Sequence, residues 1–132
     1  MRQGVIDMFI EIEPTSQIPI YTQLINQIKK AIVKNELETG QMLPSVRSLA
    51  GDLGVNMHTV NKAYNLLVDE GILVKSQRGY MIEITKELSN NIEIELQAKI
   101  EELLVEVFIH DVSNEKVKQW TQSIADDLKR EW

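Results

Sequence analysis

Two short amphipathic helices joined by a glycine-containing turn are predicted between residues 45 and 71. Ser45 follows a proline and suits the N-cap of the first helix, and Gly54 suits its end because glycine adopts positive φ without strain. Asn56 then begins the second helix and Gly71 ends it. Two such helices, about four residues apart, predict a helix-turn-helix unit. Their apolar faces consist of Val46, Leu49, Ala50 and Leu53, and of Val60, Ala63, Tyr64, Leu67 and Val68.

The flanking segments complete a small domain. MFIEIE at residues 8–13 alternates apolar and polar side chains, which predicts a short strand, and a helix is predicted from Ile20 to about Lys34. The segment ELETGQMLP is predicted to be a loop. After the helix-turn-helix unit, ILVKSQRGYMIEI predicts two short strands around a turn at Gln77, Arg78 and Gly79, with positive φ at Gly79. A hairpin in this position predicts the wing of a winged helix.

The C-terminal part is predicted to form two helices with a broad apolar surface. Apolar residues recur at helical spacing from Leu88 to Phe108, and Ser113 is the N-cap candidate of a second helix. Two isolated helices bury too little surface to offset the entropy of ordering them, so a partner is expected, most simply a second copy of the chain. The predicted dimer contacts are Leu96, Ile100, Leu103, Leu104, Val107, Phe108, Val117, Trp120 and Ile124.

The predicted fold class is therefore α+β and mainly helical. Residues 1–84 form a winged helix-turn-helix domain, and residues 85–132 form a two-helix dimerisation hairpin. Charge divides at the same point: residues 1–84 hold eight basic and nine acidic side chains, and the remainder holds six and eleven, within a net charge of −6. Total charge is a poor guide to a local surface, so the near-neutral first part remains compatible with DNA binding.

Several classes of protein are excluded or disfavoured. The chain has no cysteine, which excludes disulfides and thiol catalysis. No apolar run approaches the roughly 20 residues that span a bilayer, and MRQGVIDMF lacks a signal peptide's apolar core, so a cytoplasmic protein is expected. No catalytic constellation or phosphate loop appears, so neither an enzyme nor a cofactor is predicted. His110, Asp111 and Glu115 are poor support for a metal site, and Trp120 and Trp132 suit packing better than a ligand pocket.

The outward face of the second helix in the helix-turn-helix unit carries polar groups with little charge. His58, Asn61, Lys62 and Asn65 recur there at helical spacing, and Met57 and Thr59 lie in its first turn. Such groups suit base edges in the major groove, because asparagine can pair with adenine and the apolar groups can contact a thymine methyl. The alternative is an ordinary solvated helix face. The paired helix before it and the predicted wing after it favour the DNA interpretation.

Basic residues near this face are candidates for contacts to the DNA backbone. Arg47 lies early in the first helix of the unit, off its buried stripe, and predicts a phosphate or guanine contact; the alternative is a surface arginine. Lys75 and Arg78 bracket the hairpin tip, where they are expected to grip phosphates or reach the minor groove.

The motifs resemble those of GntR-type bacterial transcription regulators. GQMLPSVRSLAGDLGVNMHTVNKAYNLLVDEGIL, followed by QRGYMI, has the family's LPS-x-R-x-LA, LGV, T-V-x-x-A-Y and R-G elements, and IEPTSQIPIYTQLINQIKKAI is similar to the opening of the short-tailed YtrA branch. The resemblance covers roughly residues 10–84. It implies a homodimeric, repressor-type regulator of a palindromic operator in double-stranded DNA. Carried over by position, the implied DNA contacts are Ser45, Arg47, Asn56, Met57, His58, Thr59, Asn61, Lys62, Gln77, Arg78 and Gly79.

The chain also departs from the family pattern. Many GntR proteins have arginines near the positions of Met57 and Asn61, and their absence favours A·T-containing contacts over a guanine-dominated operator. The tail is too short for the ligand-binding or aminotransferase-like domains of other branches, so neither an organic effector nor pyridoxal phosphate is implied. A winged helix that binds protein instead of DNA is the alternative function. Whether the protein senses an effector or responds only to its own concentration stays open.

Overall fold

The computed structural model describes residues 10–84 and 90–129. In chain order, the described elements are helix α1 (Ile20–Val33), helix α2 (Val46–Leu53), helix α3 (Met57–Asp69), strand β1 (Leu73–Ser76), strand β2 (Gly79–Ile82), helix α4 (Asn90–Ile109) and helix α5 (Asn114–Leu128). This order confirms the predicted winged helix-turn-helix fold followed by C-terminal helices.

Side-chain caps explain where three of the helices begin. The Ser45 hydroxyl accepts a hydrogen bond from the Ser48 amide at 3.0 Å, and the Asn56 carbonyl oxygen accepts one from the His58 amide at 2.7 Å. The Ser113 hydroxyl does the same for the Lys116 amide at 3.1 Å. Each bond satisfies an amide that the first helical turn leaves without a backbone partner. The three predicted N-caps are therefore confirmed.

Four of the described helices end at a residue with positive φ. Gly54 and Gly71 have φ values of 71° and 79°, as their sequence positions predict. The ends of α1 and α4 use Asn35 and Asp111 instead, with φ values of 64° and 62°. Asparagine and aspartate tolerate this conformation better than other non-glycine residues. The spacing of apolar residues predicts the end of α1 at about Lys34, as observed, but no glycine marks the residue with positive φ beyond either end.

The wing contains the predicted two-stranded hairpin and, in addition, a short segment at Met42 that pairs with its second strand. β1 and β2 pair in antiparallel register, with Val74 opposite Met81. On the other side of β2, Met42 forms an isolated bridge with Met81, and the Leu43 amide donates to the Tyr80 carbonyl at 2.9 Å. The segment predicted as a simple loop thus supplies a short third edge to the sheet.

The strand predicted at residues 8–13 is wrong for its described part, residues 10–13, and residues 8 and 9 lie outside the described chain. This segment is bound to side chains of α1. The Glu11 amide donates to the Gln27 side-chain oxygen at 2.8 Å, and the Gln27 amide group donates back to the Glu11 carbonyl. Gln23 makes the equivalent pair of bonds with Glu13. Two glutamine side chains thus take the place of a neighbouring strand.

One apolar core joins the elements of the winged helix. The inner faces of α1, α2 and α3 meet there with both wing strands, and α3 contacts each of its neighbours. Burial on one side of α3 leaves its other side facing solvent. The buried core residues are Ile10, Leu24, Ile25, Ile28, Ala31, Leu37, Leu43, Leu49, Ala50, Val60, Ala63, Tyr64, Leu67, Leu73, Tyr80 and Ile82.

The chain divides into two compact units, Met1–Thr85 and Lys86–Trp132. In the second unit α4 and α5 make few contacts with each other, and most of their apolar side chains stay exposed. Leu103 is 58% exposed and Ile124 is also 58% exposed. Val107 differs from the other predicted dimer contacts because it is already buried in the single chain. No described helix has both the length and the apolar character needed to cross a membrane.

Candidate nucleic-acid interface

The predicted recognition surface begins at the first turns of α2 and α3. Ser45 and Asn56 are exposed, but each uses its side-chain oxygen to cap a helix. The Ser45 hydroxyl hydrogen and the Asn56 side-chain N–H groups are therefore the donors that can bind an acceptor outside the protein. Met57 and His58 are exposed in the first turn of α3, next to a half-buried Thr59. The structure therefore presents the start of α3 to solvent as a row of polar and small apolar groups.

Tyr64 fixes α3 to the start of α2. Its ring is fully buried, and its hydroxyl donates to the Pro44 carbonyl at 2.9 Å, directly before the Ser45 cap. Burial, together with the neighbouring Tyr80, raises the pKa of the Tyr64 phenol well above its ordinary value. The neutral hydroxyl remains a hydrogen-bond donor, and the bond fixes the middle of α3 to the start of α2.

Tyr80 fixes the wing to the same helix. Its ring packs edge-on against Tyr64 with 4.8 Å between the ring centroids, and its hydroxyl donates to the Asn65 side-chain oxygen at 3.2 Å. The sequence placed Asn65 on the outward polar face of α3, and its side chain is in fact bound to the wing. Asn61, one turn earlier, is exposed and remains the asparagine best placed for an external contact.

The wing tip exposes Gln77 and Arg78 between the two strands. Gly79 follows with a φ of 128°, which confirms that it serves the turn. The Ser76 hydroxyl accepts a hydrogen bond from the Arg78 amide at 3.2 Å and so shapes the tip locally. Lys75 is exposed on β1, with its ammonium 5.6 Å from the centroid of the Tyr80 ring.

Two lysines of the first unit have carboxylate partners, whereas its other described basic residues, Lys30 among them, have no described carboxylate within 4.0 Å. Lys29 binds Glu70 at 2.7 Å and Lys34 lies 3.9 Å from Glu36, so these two lysines have carboxylate partners. Among residues 10–84 and 90–129, no carboxylate lies within 4.0 Å of four exposed cationic groups on α2, α3 and the wing. These four cations can therefore attract an external anion. The four residues are Arg47, Lys62, Lys75 and Arg78.

Within the described ranges, no group of three potential metal-ligating side chains occurs. His110 lies 3.4 Å from Glu106, one turn earlier on α4, and both side chains are exposed. The arrangement is that of an ordinary helix-surface pair.

Sequence reasoning did not identify the residues that hold this surface together. The contacts of Tyr64 with Pro44, Tyr80 with Asn65, and Lys62 with Tyr21 connect residues far apart in the chain. The tyrosines recur in the family-like T-V-x-x-A-Y and R-G-Y segments, but a motif alone does not indicate which partner a hydroxyl reaches. The helical spacing of apolar residues predicts that the Tyr64 ring is buried in the core. It does not predict the hydrogen bond from the Tyr64 hydroxyl to Pro44.

The chain has a helix-turn-helix with a wing and an exposed polar start of α3, together with cations that have no carboxylate partner among the described residues. These features define the class of winged helix-turn-helix DNA-binding proteins. Comparisons with known proteins agree with this class. Residues 20–82 match the family model described as bacterial regulatory proteins, gntR family. The chain is 34% identical over 123 residues to the HTH-type transcriptional repressor YtrA of Bacillus subtilis, covering 91% of this chain and 95% of YtrA.

Solved structures support the same assignment. YtrA from Sulfolobus acidocaldarius, a GntR-family transcription factor, is 46% identical with a TM-score of 0.62, over 74% of this chain and 98% of that chain. A transcriptional antiterminator from Listeria monocytogenes EGD-e is 29% identical with a TM-score of 0.84, over 92% of each chain. The chain belongs to the GntR family and resembles its YtrA-like branch. It is a transcription regulator with a DNA-binding domain, and its relatives are regulators, not enzymes.

Proposed function

We propose that this protein is a cytoplasmic repressor that binds a palindromic DNA operator as a homodimer. The observation that carries the proposal is the set of exposed cations on α2, α3 and the wing that have no carboxylate within 4.0 Å among the described residues. Arg47 lies on α2 and Lys75 and Arg78 lie on the wing, two elements that pack against α3, and there they suit phosphates on either side of a major groove. The repressor role is supported by the name of YtrA of Bacillus subtilis, which is similar along almost its whole length.

Base recognition is assigned to four side chains at the start of α3. Met57, His58, Thr59 and Asn61 lie there, and none of them is an arginine. An asparagine amide pairs with adenine, and the methyl groups of methionine and threonine suit a thymine methyl. The proposed operator therefore contains A·T pairs at its contacted positions. Ser45, Asn56, Gln77 and Gly79 are assigned mainly to positioning the backbone and the caps at this interface.

This part of the proposal is tested by selecting bound fragments from random-sequence DNA with the full chain. Arg47→Ala is expected to weaken binding to all selected sequences, because a phosphate contact carries no sequence information. Asn61→Ala is expected to change the preferred base at one position per half-site, with about 1–3 kcal/mol of lost discrimination. If both variants lose affinity equally and without a change in base preference, Asn61 does not read bases.

The homodimer is proposed to form through α4 and α5. Six of their apolar side chains are about half exposed in the single chain, and large exposed apolar surface is a feature of association sites in soluble proteins. A second copy of the chain offers the same surface, so the two copies can cover each other with two-fold symmetry. Two DNA-binding units related in this way fit half-sites about 34 Å apart. The exposed residues are Leu96, Ile100, Leu103, Phe108, Trp120 and Ile124, and Leu104 and Val117 are half-buried beside them.

Sedimentation equilibrium tests the dimer. Leu103→Lys places a charge on the proposed interface and is expected to give monomers, whereas Glu102→Lys makes a larger charge change on a different side of the same helix and is expected to stay dimeric. A wild-type chain that sediments as a monomer at micromolar concentration contradicts the dimer. So does a Leu103→Lys variant that associates as strongly as wild type.

The alternative, a winged helix that binds protein instead of DNA, rested on the near-neutral charge of the first unit. That argument is weakened because Lys29 and Lys34 are paired with carboxylates, whereas the four cations on α2, α3 and the wing have no carboxylate partner among the described residues. Binding to selected DNA that falls steeply with salt supports the repressor proposal. Failure to enrich any DNA sequence supports the protein-binding alternative.

A further inference from the structure

Lys62 contacts the aromatic ring of a residue on another helix. Its ammonium lies 3.9 Å from the centroid of the Tyr21 ring. Tyr21 is the second residue of α1 and packs half-buried against the core, whereas Lys62 is exposed on α3. A cation within about 6 Å of a ring face is attracted by the electrons of the ring. The contact therefore draws the flexible lysine side chain from α3 towards the start of α1.

The charge of Lys62 is left uncompensated in this position. In the described part of the chain, no carboxylate lies within 4.0 Å of its ammonium, and the first turn of α1 has no acidic residue. An aromatic ring restrains the side chain without neutralising it. Restraint matters because a lysine that is ordered only on binding loses rotamer entropy at that moment.

We propose that Tyr21 is a positioning residue for DNA binding, which holds the Lys62 ammonium for a backbone phosphate beside the groove entered by α3. This inference rests on the proposed function above. Lysine is a point charge with donors and no acceptor, which suits a phosphate oxygen, and phosphate contacts set register without reading sequence. Lys62 thus contributes affinity from the side of α1, and base readout is left to the four residues Met57, His58, Thr59 and Asn61.

The test measures affinity for DNA selected by the wild-type full chain, with potassium chloride varied between about 50 and 200 mM. Lys62→Gln is expected to make the slope of log affinity against log salt shallower by about 0.9 for each phosphate that the side chain no longer neutralises. Tyr21→Leu removes the ring and is expected to lower affinity by about threefold to tenfold. Tyr21→Phe keeps the ring and is expected to bind within about twofold of wild type.

The double variant Tyr21→Leu/Lys62→Gln separates positioning from a purely structural role. If Tyr21 acts through Lys62, the double variant binds like Lys62→Gln alone. An equal loss from Tyr21→Leu in both backgrounds overturns the proposal, as does a change of base preference in Lys62→Gln. Thermal unfolding identifies a Tyr21→Leu chain that does not fold, and in that case an unchanged salt slope for Lys62→Gln still overturns the proposal. If wild type selects no DNA at all, the proposed function itself has failed.

Discussion

The bond between Tyr64 and Pro44 makes a sharp prediction about stability. Tyr64→Phe keeps the ring, its burial and its edge-on packing against Tyr80, and removes only the hydroxyl that donates to the Pro44 carbonyl at 2.9 Å. A hydrogen bond of this kind contributes a net 0.5–1.5 kcal/mol or so, and a buried acceptor that loses its donor costs about 1–3 kcal/mol. We therefore expect Tyr64→Phe to lower the free energy of unfolding by about 1–2 kcal/mol.

Tyr80→Phe is the matched control. It also removes one tyrosine hydroxyl from the core, but that hydroxyl donates to the side chain of Asn65, which is exposed. Water can replace the lost donor there, so the expected cost is below about 0.5 kcal/mol. Both substitutions conserve nearly the whole side-chain volume. The difference between their unfolding free energies therefore measures the effect of leaving a buried acceptor, compared with an exposed one, without its donor.

The assay is urea unfolding of the full chain, with circular dichroism as the signal and all variants at one protein concentration. A fixed concentration is needed because association would stabilise the folded state. A lower midpoint with an unchanged slope indicates a loss of stability. Equal effects of the two variants, or a Tyr64→Phe chain as stable as wild type, would refute the idea that Tyr64 anchors α3 to α2.

Three further predictions concern pH, the wing turn and the α2 cap. Because the pKa of the Tyr64 phenol is raised above its ordinary value of 10.0, the unfolded chain ionises first as pH rises above that value, and the stability that the neutral phenol provides is progressively lost. The difference in unfolding free energy between wild type and Tyr64→Phe should therefore decrease above pH 10, by up to about 1.4 kcal/mol per pH unit. A difference that stays constant with pH in the same urea assay contradicts this expectation. Gly79→Ala should lower the free energy of unfolding by about 1–3 kcal/mol, because alanine is strained at a φ of 128°. Gly51→Ala should raise it by about 0.5–1 kcal/mol, because Gly51 lies in α2 with open space around it. Shifts of the same sign in thermal unfolding would contradict these two expectations. Ser45→Ala removes the cap of α2 and should lower the free energy of unfolding by about 1 kcal/mol. Ser45→Asp should keep the cap but weaken DNA binding through its negative charge. If Ser45→Asp binds DNA as well as wild type, Ser45 lies outside the interface.

Local signals in the sequence located most of the helices. Ser45, Asn56 and Ser113 each begin a helix through a hydrogen bond that spans at most three residues, so the residue type and its position are enough to predict it. Glycine marked two helix ends for the same reason. Asn35 and Asp111 take the same conformation with side chains that are also common in loops, so their role could not be told from the sequence.

Contacts between distant residues could not be predicted in this way. The alternation at residues 8–13 predicted a strand, but the described part of this segment binds Gln23 and Gln27 side chains, which no alternation pattern indicates. Likewise, helical spacing placed Lys62 and Asn65 together on the outer face of α3. The Lys62 ammonium instead lies over the Tyr21 ring, and the Asn65 side-chain oxygen accepts a hydrogen bond from the Tyr80 hydroxyl. Arg47, Asn61 and Arg78 are exposed, as their sequence positions predict.

A footprint of the full chain on its own selected operator, combined with the number of chains bound per duplex, is the decisive experiment for a dimeric operator-binding repressor. We expect two chains per duplex and two protected half-sites related by a dyad, with centres about 34 Å apart and A·T pairs at the positions that α3 contacts. One chain bound to a single unrepeated site, or a footprint centred on G·C contacts, would contradict it.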